Sequence, residues 1–180
     1  MKKPTRSELA AAVHKGVPDV IAPKLRVLFC GINPGLYSAA IGHNFGRPGN
    51  RFWPTLHAAG FTPRLLSPYD ERELLAYGCG ITNFVARATA TADQLEPAEL
   101  VRGARSVRTK VLRYQPRCLA VLGIGAYRAA MQQPKAQLGL QPEPIGAAAV
   151  WVLPNPSGLN AHYQLASLQE LFREVREACC

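Results

Sequence analysis

The sequence predicts an α/β domain, a three-layer α/β/α sandwich with a central, mainly parallel sheet. Three observations predict it. Short apolar runs rich in β-forming residues stand at 25–30, 118–122 and 148–153, each closed by glycine or proline. Amphipathic helical patterns separate them, and strands separated by helices pair in parallel with helices on both faces. The length, 180 residues, suits one hydrophobic core and not two.

In chain order, residues 1–24 read as a lead-in segment with a short helix near 7–15 and prolines at Pro18 and Pro23. Residues 25–180 read as the single domain. The first strand, Leu25-Arg26-Val27-Leu28-Phe29-Cys30, runs into a Gly-, Pro- and Asn-rich loop to about residue 50. A helix over 51–59 aligns Phe52, Leu56 and Ala59 on one face and ends at Gly60. Another over 68–77 starts at the cap Ser67 and stops at Gly78. Residues 81–85 read as a short strand or an extended connection, and 86–94 as loop. The helix over 97–114 turns Val101, Ala104, Val107 and Val111 inward and Arg102, Arg105, Arg108 and Arg113 outward. A short helix over 126–131 and a last one over 164–178 complete the pattern.

The chain carries 21 Lys and Arg against 12 Asp and Glu, a formal net charge of +9, which favours a polyanionic partner. Its distribution sharpens the point: no acidic residue occurs between Val20 and Tyr69 or between Leu100 and Pro142. No apolar run approaches the roughly 20 residues that span a bilayer, and no signal-peptide pattern opens the chain. The expectation is a soluble protein of the cytoplasm, associated with the nucleoid and making no membrane contact. Cys30, Cys79, Cys118, Cys179 and Cys180 show no C-x-x-C spacing. They read as neither a zinc site nor a disulfide framework, with Cys30 and Cys118 as free thiols in core strands.

Two loops carry the chemistry. Gly31-Ile32-Asn33-Pro34-Gly35 follows the first strand and Pro154-Asn155-Pro156-Ser157-Gly158 follows the last. In an open parallel sheet, ligands bind beyond the carboxyl ends of the strands, so both loops should lie on that edge. Each holds an asparagine whose backbone the next proline restrains, and each adds a glycine that permits close backbone approach. Asn-Pro and Pro-Gly are also ordinary turn dipeptides, and it is the pairing of two such loops at corresponding strand ends that points to a site. Between them, Phe52 and Trp53 read as core, whereas Phe45 sits among polar residues. Among the carboxylates, Asp93 occupies a polar loop that could face the same edge, either as a helix-entry residue or as an aid to water activation.

The segments FCGINPGL, GHNFGRPGNRFW and VLPNPSGLN together resemble the mismatch-specific uracil-DNA glycosylases and thymine-DNA glycosylases of the uracil-DNA glycosylase superfamily, over residues 22–175. The resemblance implies an enzyme that flips uracil, or a related pyrimidine, out of mismatched double-stranded DNA and hydrolyses the N-glycosidic bond. It implies catalysis by Asn33, which would place the attacking water; the added catalytic candidate, Asp93, comes from its loop position and not from the resemblance. It implies base binding by Gly31, Ile32, Asn44 and Phe45, with Phe45 stacking on the base and the amides near Ile32 and Phe45 holding its carbonyls. Asn155, Pro156, Ser157, Gly158, Leu159 and Asn160 would enter the duplex, Leu159 as the apolar wedge. No metal and no cofactor is implied, and a monomer is expected. The sequence departs from its relatives after the wedge, where Asn160, Ala161 and His162 replace the usual arginine.

Three other functions compete. A non-catalytic nucleic-acid-binding α/β module would explain the basic helix but not Asn33 and Phe45. An esterase would want Gly-x-Ser-x-Gly, which is absent. A metal nuclease would want clustered ligands, yet His14, His43, His57 and His162 are dispersed.

Overall fold

The protein is described by a computed structural model covering residues 3–158 and 163–180. Five strands form one sheet in the order β2-β1-β3-β5-β4. Strands β1 (Val27–Gly31), β2 (Cys79–Asn83), β3 (Cys118–Leu122) and β5 (Ala149–Leu153) run parallel. The two-residue β4 (Gly139–Leu140) is antiparallel on the edge and has no counterpart in the sequence reading.

The parallel strands are buried on both faces, and alternate side chains feed two cores. Val27, Phe29, Ile81, Ala120 and Leu122 pack on one side with Phe52, Leu56 and Phe172. These come from α3 (Phe52–Ala58) and α6 (Leu165–Cys179). Phe29 meets Phe52 and Phe61 edge to face and stacks on Phe172, with centroids 5.4 to 5.7 Å apart. Leu28, Cys30, Leu119, Val121, Val150 and Val152 pack on the other side with Ala104, Val107, Val111 and Tyr127. Those last four belong to α4 (Pro97–Tyr114) and α5 (Ile124–Ala130). The result is the predicted three-layer α/β/α arrangement.

Several details differ from expectation. The loop after β1 contains a short helix, α2 (Leu36–Ile41), started by Gly35 and stopped by left-handed Gly42. Segment 68–77 is a 3-10 helix (Pro68–Tyr77) and not an α-helix. The N-terminal helix α1 (Arg6–Ala10) is shorter than expected and carries a Thr5–Glu8 capping box. The lead-in is fastened to the body: Val20 bridges Ile81, and Asp19 pairs with Lys110 at 2.6 Å while accepting from the Thr82 hydroxyl. Lys110 is thereby half-buried and paired within the protein, whereas Arg102, Arg105, Arg108 and Arg113 stand exposed along α4.

The cysteine reading needs correction. Cys118 is not a free thiol; it is disulfide-bonded to Cys179, which ties the end of α6 to the start of β3. A separation of 61 residues with no motif spacing carried no signal of that pairing. Cys30 and Cys79 are free and buried, and desolvation pushes both thiols up, Cys79 to about 12.

Helix α4 reaches the sheet through Gly103, where an added Cβ would stand 2.3 Å from the Phe84 carbonyl oxygen. Gly125 in α5 has nothing within 4 Å of that position. Gly103→Ala should therefore lower the unfolding free energy by roughly 1–3 kcal/mol through overpacking. Gly125→Ala should be neutral or raise it by up to about 1 kcal/mol. Urea denaturation of the two variants checks the contrast.

Candidate active site

The carboxyl ends of β1, β2, β3 and β5 converge on a cavity of about 250 Å³, large enough to admit one small ring. It lies where the sheet order reverses around β1, since β2 and β3 flank β1 on opposite sides. Both Asn-Pro loops line it, the first through Gly31 to Gly35 and the second through Asn155 and Ser157. Asn44, Phe45, Arg47, Asn83 and Thr89 to Ala92 form the rest of the wall that matters here.

Asn33 is held by both of its amide protons. Its Nδ2 donates to the Arg87 carbonyl at 3.0 Å and to the Thr89 hydroxyl at 2.7 Å. Among the described residues no hydrogen bond reaches the Asn33 Oδ1. A clamped carboxamide with an open oxygen is an acceptor of fixed direction, able to orient a water but not to take its proton. The wall that holds it is braced in turn. Arg87 grips Glu99 at the first turn of α4 with two hydrogen bonds of 2.6 and 2.7 Å, and also donates to the Gln94 carbonyl.

Phe45 has one ring face stacked on Phe52, with centroids 4.0 Å apart and planes 22° from parallel. It also lines the cavity, so a ring supported by the core forms part of the wall. Its φ of 51° is left-handed, a conformation that costs a bulky residue about 1–2 kcal/mol. Amides on either side hold it there: Asn44 N donates to Glu71 Oε2 at 2.8 Å, and Gly46 N donates to the Ser38 hydroxyl at 2.9 Å.

Gly31 forms the floor between Phe45 and Asn83. A Cβ there would lie 2.4 Å from Asn83 Oδ1 and 3.4 Å from the Phe45 ring. Sequence reasoning missed Asn83, which ends β2 without any motif around it; only its pairing with Gly31 brings it to the cavity. Gly35 needs no such closeness, because nothing lies within 4 Å of its added Cβ and its φ is an ordinary −75°.

Asn44 is 3% exposed and its carboxamide is tied to three partners. Nδ2 donates to the Pro18 carbonyl and to Glu71 Oε2, both at 3.1 Å, while Oδ1 accepts from Asn83 Nδ2 at 3.1 Å. Its side chain is thus a strut between the lead-in, Glu71 and Asn83, with both amide protons bound inside the protein.

The second loop packs on the segment that leads into α3. An added Cβ at Gly158 would stand 2.5 Å from the Gly49 carbonyl oxygen, so here glycine does serve close backbone approach. Arg51 binds the pair together: its N–H donates to the Pro156 carbonyl, and its guanidinium donates to the Ser157 and Tyr163 carbonyls. Asn155 accepts from Ser157 N in a tight side-chain turn. Leu159, the expected wedge, and Asn160, with His162, lie outside the described residues. Asp93 sits exposed on the one-turn helix Ala92–Gln94, one position past the cavity wall and not in it. Arg47 is exposed at the cavity rim. Among the described residues no group of three or more His, Cys, Asp or Glu is arranged to hold a metal ion.

The sequence profile of the uracil DNA glycosylase superfamily matches residues 18–178. The chain belongs to that superfamily, which makes it a hydrolytic DNA glycosylase with DNA as its substrate. The fold is shared with a solution NMR structure of a candidate uracil DNA glycosylase from Methanosarcina acetivorans. The two align with a TM-score of 0.56 and 18% identity, covering 91% of this chain and 99% of the other.

The Arg87 pair gives the site an acid limit. Its hydrogen bonds, chiefly from Arg87 and then from the Glu96 amide, hold the Glu99 carboxyl down at about 2, below its ordinary 4.5. A depressed folded value means stabilisation that is present above about pH 4.5 and lost as pH falls toward 2. The wild-type chain should lose stability over that interval more steeply than Glu99→Gln, as acid titration of far-UV circular dichroism will show.

Proposed function

We propose that this glycosylase removes uracil, and related pyrimidines, from mismatched double-stranded DNA by flipping the base onto Phe45 and delivering a water from Asn33. One observation carries the reading: a ring supported on one face and a carboxamide clamped by both protons share a cavity of about 250 Å³. A flipped pyrimidine would stack on Phe45, and Gly31 would let its edge approach the backbone. Asn83 Oδ1, beside Gly31, would accept from a ring N–H. The backbone at Ile32 and Phe45 would meet the base carbonyls.

The bond from the sugar C1′ to the base nitrogen then breaks, and its electron pair leaves on the base. Water held by Asn33 Oδ1 bonds to C1′ and loses a proton. Asn33 cannot take that proton, so solvent does, with Asp93 assisting from the adjoining turn. Asn155, Pro156, Ser157 and Gly158 would lie along the duplex, with Leu159 filling the gap left by the base. Arg47 at the rim and the exposed arginines of α4 would contact phosphates. The enzyme would act as a monomer on nucleoid DNA in the cytoplasm.

End-labelled duplexes bearing G·U, A·U or G·T, and single-stranded U, followed by alkaline cleavage of abasic sites, test the reading. Scission should be strongest for G·U. Asn33→Ala should lose at least about 100-fold in single-turnover rate while keeping duplex affinity, and Asp93→Ala should lose a smaller factor, about tenfold. No scission on any uracil substrate would overturn the proposal, and full activity in Asp93→Ala would remove that residue from it.

The rim prediction is separate. Arg47→Ala should weaken duplex binding several-fold and make the slope of log K against log salt shallower by about 0.9, measured by fluorescence anisotropy across a salt series.

A further inference from the structure

Glu71 is a buried carboxylate on the 3-10 helix Pro68–Tyr77, remote in sequence from either loop and 6% exposed. A carboxylate in such a place requires donors, and it has three. His43 Nδ1 lies 2.9 Å from Oε1, while Asn44 N and Asn44 Nδ2 donate to Oε2 at 2.8 and 3.1 Å. An ionised carboxylate only accepts, so His43 must donate through Nδ1. The same logic passes along the chain of amides. Asn44 presents its NH₂ to two acceptors, the Pro18 carbonyl and Glu71, so its Oδ1 is the atom left for Asn83. Asn83 must then donate through Nδ2, which leaves its Oδ1 over Gly31 at the cavity floor.

We infer that Glu71 is the positioning residue of this active site: through Asn44 it fixes Asn83 as a hydrogen-bond acceptor toward the base, and through the Asn44 amide it holds the left-handed backbone of Phe45. The inference rests on the reading of the cavity as a base pocket. Glu71 touches no substrate. It determines which way round two amides stand and keeps a strained aromatic in place, so it selects a base edge that offers an N–H donor. An apolar residue at position 71 removes one of the two acceptors that orient the Asn44 amide and the acceptor of its backbone N–H, leaving the Pro18 carbonyl alone to hold the relay.

The variants Glu71→Met, Glu71→Gln and Asn44→Leu separate this role from simple packing. Glutamine can keep its Oε1 toward both Asn44 donors and turn its NH₂ to a neutral His43 Nδ1, so it should rescue. Single-turnover excision of uracil from an end-labelled G·U duplex should fall at least tenfold in Glu71→Met and stay within about threefold of wild type in Glu71→Gln. Affinity for the same duplex carrying a non-hydrolysable 2′-fluoro-deoxyuridine should stay within about twofold for both. Asn44→Leu, which cuts the relay while keeping the His43 contact, should match Glu71→Met and stands in for it if that variant does not fold. In ¹⁵N spectra the side-chain amide protons of Asn44 and Asn83 should be protected from exchange in wild type and Glu71→Gln and unprotected in Glu71→Met. Wild-type excision rates in both Glu71→Met and Asn44→Leu, or a Glu71→Gln as slow as Glu71→Met, would overturn the inference, as would amide spectra indifferent to the substitution. If wild type excises no uracil at all, the reading of the pocket fails, and the amide spectra still decide whether Glu71 sets the orientation of Asn83.

Discussion

Strand β1 has a parallel neighbour on each side, with Gly31 opposite Asn83, and the whole site follows from that placement. A chain leaving the centre of a sheet cannot continue in the plane of its neighbours, so its next residues rise above the sheet edge. There they meet whatever the adjacent strands deliver. At Gly31 the meeting is close enough that no side chain fits between Asn83 and Phe45. The hydrogen-bond ladder fixes the height of the floor, the missing side chain fixes its depth, and Asn33 two residues on inherits its position from both.

The groups that line the cavity are costly to hold, and secondary contacts brace them. Asn33 is clamped by a loop that is itself braced on α4 by Arg87 and Glu99. Phe45 occupies an unfavourable backbone region under restraint from amides on both sides. These braces reach into the lead-in, because Pro18 supplies a carbonyl to Asn44 while Asp19 and Val20 fasten the same segment to α4 and β2. A segment that looks peripheral in the sequence is therefore a buttress of the pocket.

Much of this was legible in the residues, and the failures have physical causes. The buried strands announce themselves as apolar runs, and α4 as an 18-residue amphipathic pattern whose ends the sequence locates well. Both Asn-Pro loops fall at the expected sheet edge. Helix α2 escaped notice because Gly35 and Gly42, which start and stop it, read as loop punctuation. The edge strand β4 is too short to have a period. Asn83 and Glu71 carry no local pattern at all; their relevance arises from strand register and from burial, which exist only once the chain has folded. The Cys118 to Cys179 bond belongs to the same class, since it joins a strand start to a helix end across 61 positions.

The contact of Gly158 with the Gly49 backbone, reinforced by the three carbonyls that Arg51 holds, makes the second Asn-Pro loop and the loop that leads into α3 one mechanical part. Neither can lengthen or shift without displacing the other. Drift in the sequence at one loop is then tolerable only with matching drift in its partner, and transplanting a single loop from a relative would unseat the neighbour it leans on. The arginine at the start of α3 is the fastening common to both.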